Sequence, residues 1–372
     1  MTTTGREGRR GKDSGTVVEG VVLGVDTHLD LHVTVALDCL GRHLGELAVP
    51  TTKKGYEMLV CWAEGFGPVG CAGVEGTSSY GAGLARHLRS AGIRVLEVER
   101  PKRRHLRRKG KSDSRDAESA ARAVLAGETA GEPKSGDGRV EMIRVLRGAR
   151  RSAVKARTQA ANQLRGVRVT APEALRRRLR GLSTKELVAG AARFRPGGNP
   201  GDVEEATRFA LRSVARRYQA LSEEIAQLDA QLHRLVAETA PELTSLPAIG
   251  TDHAATLLMV AGDNPERLGS EASFASLCGV SPVEASSGKV VRHRLNRGGN
   301  RDANRALHLI CVVRMRIDQR TRRYAARRAS EGKSKKEIIR CLKRYVAREV
   351  YRVLTTSVDF ADSPRKRDAS SL

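Results

Sequence analysis

Aromatic residues are scarce: the 372 residues include five Phe, six Tyr and one Trp. That counts against modules that stack nucleobases on an aromatic-bearing sheet. No apolar run approaches the roughly 18 residues needed to span a bilayer, which excludes a helical membrane protein. Residues 1–20 carry no hydrophobic signal core, so export is not expected. The six cysteines (Cys39, Cys61, Cys71, Cys278, Cys311 and Cys341) form no C-x-x-C pair and no Cys/His cluster at zinc-ligand spacing. Each lies beside apolar residues, as reduced, buried thiols of a cytoplasmic protein do.

Acid is also in deficit. Against 67 Lys+Arg stand 42 Asp+Glu, a formal charge of +25, with a sequence pI near 10.6. Such a surplus makes a polyanion the default partner, with nucleic acid ahead of membrane, and a nucleoid-associated location in the cytoplasm follows. Arg outnumbers Lys 52 to 15. Its planar fork binds phosphate bidentately, although a GC-rich genome would favour Arg codons as well. The apolar fraction of 40% leaves enough for two or three domains with buried cores.

Residues 1–19 and 357–372 read as polar tails. Between residues 21 and 49, three β-rich runs with short polar links predict an antiparallel meander: Val21–Asp26, Leu31–Asp38 and His43–Val49. Thr51 or Thr52 is placed to cap a helix running to Glu64. Val69–Glu75 and Ile93–Val98 read as strands, Tyr80–Ser90 and Asp113–Leu125 as helices. Strands alternating with helices after a meander imply an α/β domain with a mixed sheet, over residues 20–128. Residues 129–240 read as a linker followed by helices. Leu211, Val214, Tyr218, Leu221, Ile225, Leu228, Leu232 and Leu235 alternate spacings of three and four, an a/d seam of more than three heptads. It fits a coiled coil between subunits, or an antiparallel hairpin with the helix near Val145–Leu164 of the same chain. Residues 241–356 read as a compact, mostly α C-terminal domain.

Four acids stand out by position. Asp26 ends the first strand and Glu75 a later one. Asp113 and Asp116, three residues apart, share a helix face. Carboxylates at strand ends and on an adjoining helix can meet at one sheet edge, where their repulsion calls for cations. Two Mg²⁺ ions bridged by carboxylates would satisfy them, with Mn²⁺ as a substitute, and such a pair suits in-line attack on a phosphodiester. Singly, Asp26 also fits a turn, and Asp113 a helix N-terminus capped by Ser112.

Seven of the eleven residues Pro101–Lys111 are basic: Lys102, Arg103, Arg104, Arg107, Arg108, Lys109 and Lys111. A charge run often forms only a solvated surface; directly before two candidate metal ligands it suits a phosphate backbone. Leu246–Thr251 opens an apolar helix with a tight turn, either a helix-hairpin-helix-like phosphate site or an ordinary corner. Farther on, Ser286-Ser287-Gly288 sits in a loop with Lys289, Arg292, Arg294, Arg297 and Arg301. It fits a plain loop, or a nucleophile whose flanking cations offset phosphoryl charge and contact nucleic acid.

Together these segments resemble the DEDD transposases of bacterial insertion sequences, a family of RNA-guided recombinases related to the Piv-type DNA invertases. The resemblance rests on Gly24-Val25-Asp26, Val74-Glu75-Gly76-Thr77-Ser78-Ser79-Tyr80 and Lys111-Ser112-Asp113-Ser114-Arg115-Asp116-Ala117. In the second half it rests on Leu246-Pro247-Ala248-Ile249-Gly250, Phe274–Pro282 and Ser286-Ser287-Gly288. It implies a RuvC-like (RNase H-like) domain with Asp26, Glu75, Asp113 and Asp116 as metal-binding catalytic acids, and a C-terminal domain with Ser287 as nucleophile. It further implies a covalent phosphoserine link to DNA, a structured RNA encoded by the element, and a multimer in which the two catalytic domains meet between subunits. Ala248 stands where the family turn carries Gly, Ser78 replaces a Gly, and Ser286 offers a second hydroxyl beside Ser287. Two other functions share part of this pattern: a metal-dependent junction resolvase, endonuclease or invertase using water, and a non-catalytic nucleic-acid-binding protein.

Overall fold

A computed structural model of the chain describes residues 19–98, 112–129, 131–197, 201–288, 293–294 and 296–356. It divides into two compact units, Met1–Asp137 and Gly138–Leu372. Among the described residues no helix is long and apolar enough to cross a membrane.

The first unit is built on a five-stranded mixed sheet in the order β3-β2-β1-β4-β5. β1 (Val21–Thr27), β2 (Leu31–Leu37) and β3 (His43–Pro50) form the antiparallel meander. β4 (Val69–Glu75) and β5 (Arg94–Val98) add in parallel on the other side of β1. All seven residues of the central strand β1 are buried, whereas the edge strand β3 is largely exposed. Helix α1 (Lys53–Glu64) starts at Thr52, whose side chain accepts from the Gly55 N–H. Helix α2 is Ala82–Ser90. It begins two residues later than the sequence suggested, because the Ser79 and Gly81 N–H groups both turn back to the Gly76 carbonyl.

Side chains alternate across the sheet, so each strand feeds two cores. Leu23, Val25, Ala36 and Val74 pack with Leu59, Leu84 and Leu88 on one face. Val22, Val35, Leu37, Cys71 and Leu96 pack on the other with Ala117, Ala120, Ala121 and Val124 of α3 (Asp113–Leu125). This is the RNase H-like layering that the sequence implied.

The second unit opens with two long helices, α4 (Arg139–Thr170) and α7 (Val203–Thr239), joined through α5 (Glu173–Leu179) and α6 (Thr184–Ala192). They run antiparallel: Arg139 bonds the Glu238 carbonyl, Arg150 the Asp229 carboxylate and Arg217 the Gln163 amide. Within the chain, then, the seam is used as an intramolecular hairpin. Leu211, Val214, Ile225 and Leu232 are buried, while Leu221 and Leu228 remain half-exposed. Asp263 accepts from the Val140 and Glu141 N–H groups at 2.7 and 3.2 Å, closing the start of α4, where Gly138 offers no side-chain cap.

The hairpin base merges into the C-terminal core, where Val140, Ile143, Leu232 and Val236 pack with the buried α9 (Thr251–Ala261). Short α8 (Pro241–Ser245) and α10 (Glu271–Leu277) flank it. A small antiparallel pair follows, β6 (Val283–Glu284) with β7 (His293–Arg294). Helices α11 (Arg301–Ile317), α12 (Gln319–Ser330) and α13 (Lys335–Thr356) complete the unit.

Candidate active site

Two glycines set up the acidic edge. On β1 and β4 the alternation turns Gly24 and Gly73 toward α3. A Cβ at Gly24 would lie 2.0 Å from the Ala117 carbonyl oxygen, and one at Gly73 would lie 2.6 Å from a Val124 methyl. Only a bare backbone lets the helix come this close. Its first turn, carrying Asp113 and Asp116, then lies over the C-terminal end of β1. Ser112 fixes that turn by accepting the Arg115 N–H at 3.4 Å.

Two further acids come from the sheet. Val25 registers with Val74 across the parallel pair, so Asp26 and Glu75, one residue on in each strand, stand side by side on the α3 face. Both are buried, at 6% and 5% exposure. The Thr27 hydroxyl donates to the Glu75 carbonyl at 3.0 Å and ties the two strand ends together.

His28, which the sequence analysis did not single out, completes the cluster. Its Nε2 lies 3.2 Å from Asp26 Oδ2 and 3.5 Å from Asp113 Oδ1, bridging strand and helix. A signal was present: in extended chain, residues i and i+2 share a face, and His28 is two beyond Asp26. Asp26, His28 and Asp113 each offer one donor atom, all within 4.8 Å of one another. Two hard carboxylate oxygens and one imidazole nitrogen suit a divalent cation, and the burial of Asp26 gives its charge reason to be neutralised there. Glu75 is adjacent by register. Asp116 is one helical turn beyond Asp113 and half-buried.

Ser287 belongs to the second unit and the acids to the first. It is exposed, three residues past β6 and just before Gly288, whose φ is +58°. Arg294 lies in β7 opposite Val283, while Arg297 and Arg301 are exposed along the return to α11. Lys102, Arg103, Arg104, Arg107, Arg108, Lys109, Lys111, Lys289 and Arg292 lie outside the described residues. The turn into α9 borders a cavity of about 410 Å³ lined by Leu246, Ala248, Gly250 and Thr251 among others. Asp252 in that first turn pairs with Arg147 at 3.3 Å and places negative charge where a phosphate would dock.

Two family models match this chain. A DEDD transposase domain of the IS110 type matches residues 23–168, and the transposase IS116/IS110/IS902 family model matches residues 240–326. The chain is also similar to the insertion element IS110 uncharacterized 43.6 kDa protein of Streptomyces coelicolor, 34% identical over 125 residues. That match covers 33% of this chain and 31% of the relative.

Proposed function

Because the chain belongs to the IS110 family of transposases, with its DEDD N-terminal and Transposase_20 C-terminal domains, we propose that it cuts and rejoins DNA to move an insertion sequence. The observation that carries this reading is the convergence of Asp26, His28 and Asp113 at the strand edge of the domain that matches the DEDD model.

In this reading Asp26, Glu75, Asp113 and Asp116 hold divalent cations, Mg²⁺ by preference and two in number, with Mn²⁺ able to substitute. The bound ions supply charge neutralisation at the reacting phosphate. Ser287 Oγ forms a bond to phosphorus while one P–O bond of the DNA backbone breaks, and the departing DNA hydroxyl leaves with a proton. The phosphodiester energy is kept in the protein–DNA ester, so strands rejoin without an external energy source. A serine hydroxyl is weakly nucleophilic at neutral pH, and His293 is the only histidine near Ser287 in sequence. The acids of another subunit therefore provide its activation, in a dimer or tetramer. Leu221 and Leu228, both only half-buried along the seam, leave some apolar surface open to such assembly. The basic residues of Pro101–Lys111, with Lys289, Arg292, Arg294, Arg297 and Arg301, grip the phosphate backbone, and a structured RNA from the element selects the DNA.

The test is an SDS-stable crosslink to labelled element-end DNA, with and without the element's RNA. Ser287→Ala should bind DNA yet form no adduct, whereas Ser286→Ala should be much milder. Asp26→Ala or Asp116→Ala should lower cleavage by at least about a hundredfold, with DNA affinity kept or raised as phosphate repulsion falls. Cleavage that survives EDTA would remove the acids from the mechanism. Leu221→Asp with Leu228→Asp should abolish the adduct with every acid intact; a monomeric double variant that reacts normally would refute the shared site.

A further inference from the structure

We propose that Asn304 and Lys343 are positioning residues for the arm that carries Ser287, an inference that rests on reading Ser287 as the nucleophile. The arm leaves the C-terminal core at Cys278-Gly279 and returns at Gly299-Asn300. At this neck the two chain segments cross backbone to backbone. A Cβ on Gly299 would lie 2.2 Å from the Gly279 nitrogen. The Asn300 N–H donates to the Leu277 carbonyl at 2.6 Å, and the Asn300 side chain caps α11 through the Ala303 N–H. Beyond the neck, residues 284–288 are exposed. The direction in which the arm projects is therefore set at its base.

Asn304, in the first turn of α11, closes that base from beneath. Its Nδ2 donates to the Cys278 carbonyl at 3.1 Å and the Gly279 carbonyl at 2.9 Å, while its Oδ1 accepts from Lys343 Nζ at 2.9 Å. Lys343 comes from α13 and is 5% exposed, with no carboxylate in ion-pair range among the described residues. A buried lysine without an acid is costly and rare. Its neighbours on the same helix, Leu342, Val346 and Ala347, are buried and apolar, so an apolar side chain would suit the position.

The lysine supplies orientation. An ammonium has donors only, so it accepts just one of the two faces of an amide, the oxygen. With Oδ1 held toward Lys343, both N–H groups of Asn304 must point at the neck carbonyls. Lys343 acts through Asn304, and Asn304 through the backbone of Cys278 and Gly279, on the placement of Ser287.

Asn304→Asp separates this role from simple stability. The carboxylate pairs with the buried ammonium, so the fold is kept, but it has no N–H to give and faces two carbonyl oxygens instead. The readouts are thermal unfolding, DNA affinity, amide exchange in peptides covering residues 283–287, and the rate of adduct formation at saturating DNA. The expected result is an unchanged melting temperature and DNA affinity, exchange at least about tenfold faster, and an adduct rate about ten- to a hundredfold slower. Lys343→Met, which frees the amide to flip, should move exchange and rate in the same direction by less. Unchanged exchange and rate in the folded Asn304→Asp protein would overturn the proposal. If the wild-type protein forms no adduct, the nucleophile reading fails, and the exchange measurement alone decides whether the neck is held as described.

Discussion

The acidic edge and the serine arm are built in opposite ways. The edge is assembled from three elements and held by the packing behind it, with Asp26 and Glu75 buried and α3 pressed onto Gly24 and Gly73. The arm is a single excursion of chain, exposed at residues 284–288 and 293–294 and fixed at its neck. Groups that must hold a charge cluster need a rigid scaffold, because carboxylates a few ångströms apart separate unless something holds them. If Ser287 is the nucleophile proposed above, its hydroxyl needs access to a DNA phosphate, and an arm on a fixed base gives access with direction.

The contrast breaks most sharply at its glycines. Gly24→Ala puts a methyl into the Ala117 carbonyl and the Ala121 nitrogen, at 2.0 and 2.3 Å. The helix must move, so unfolding stability should fall by about 3 kcal/mol, and metal-dependent cleavage by about a hundredfold although no acid is touched. Gly288→Ala, beside Ser287, meets nothing within 4 Å and suffers only from its φ of +58°. Its cost should be about 1 kcal/mol. Thermal unfolding of the two variants checks both figures; equal losses would show that edge and arm are held alike.

These glycines also mark how far the sequence could be read. The meander, Thr52 and Ser112 as caps, and α3 with its two acids follow from periods and end signals that are local in the chain. Asp26 and Glu75 were legible for the same reason, since each closes an apolar strand. His28 was legible only in part: its i+2 spacing places it on the face of Asp26, but its meeting with Asp113 depends on α3 reaching back over β1, and that approach depends on Gly24 lying beneath the helix. The a/d seam was legible as a seam, but period alone does not say what covers it, and here α4 of the same chain covers much of it. Asn304 and Lys343 gave no signal at all: one lies in a helix start, the other in an amphipathic helix, and they meet only in the tertiary fold.

A smaller effect sharpens the account of the scaffold behind the edge. His32, opposite Thr27 in β2, is fully buried and stacks on Tyr56 at 5.8 Å with the rings 7° from parallel. Burial lowers its pKa from the ordinary 6.5, against a weaker opposing bond to the Leu31 backbone. The unfolded chain therefore binds this proton more readily than the folded one. The resulting stability is fully present above pH 6.5 and is lost as pH falls through that value toward the folded pKa. The melting temperature of the first unit should drop as pH falls below 6.5. His32→Phe should flatten that drop; a variant as pH-sensitive as the wild type would place the titration elsewhere.

The smallest effect concerns the second unit, at the turn into α9. Ala248 has φ +62°, the only non-glycine residue with positive φ among those described. A Cβ in this region costs about 1–2 kcal/mol. The strain persists because the turn is tied down from outside: buried Arg314 donates to the Pro247 carbonyl at 2.8 Å and pairs with Glu349 at 2.6 Å. Ala248→Gly removes the strain but gives the unfolded chain more freedom, a counter-effect of about 0.4–1 kcal/mol. The net should be a gain of about 0.5 kcal/mol, read as a rise of about a degree or two in the melting temperature of this unit. The substitution also tests what the turn does. If the alanine only strains a structural corner, DNA affinity and its salt dependence should stay as they were. Tighter binding with a steeper salt slope in Ala248→Gly would mean that the methyl had been blocking a phosphate contact, despite the negative charge of Asp252 beside it.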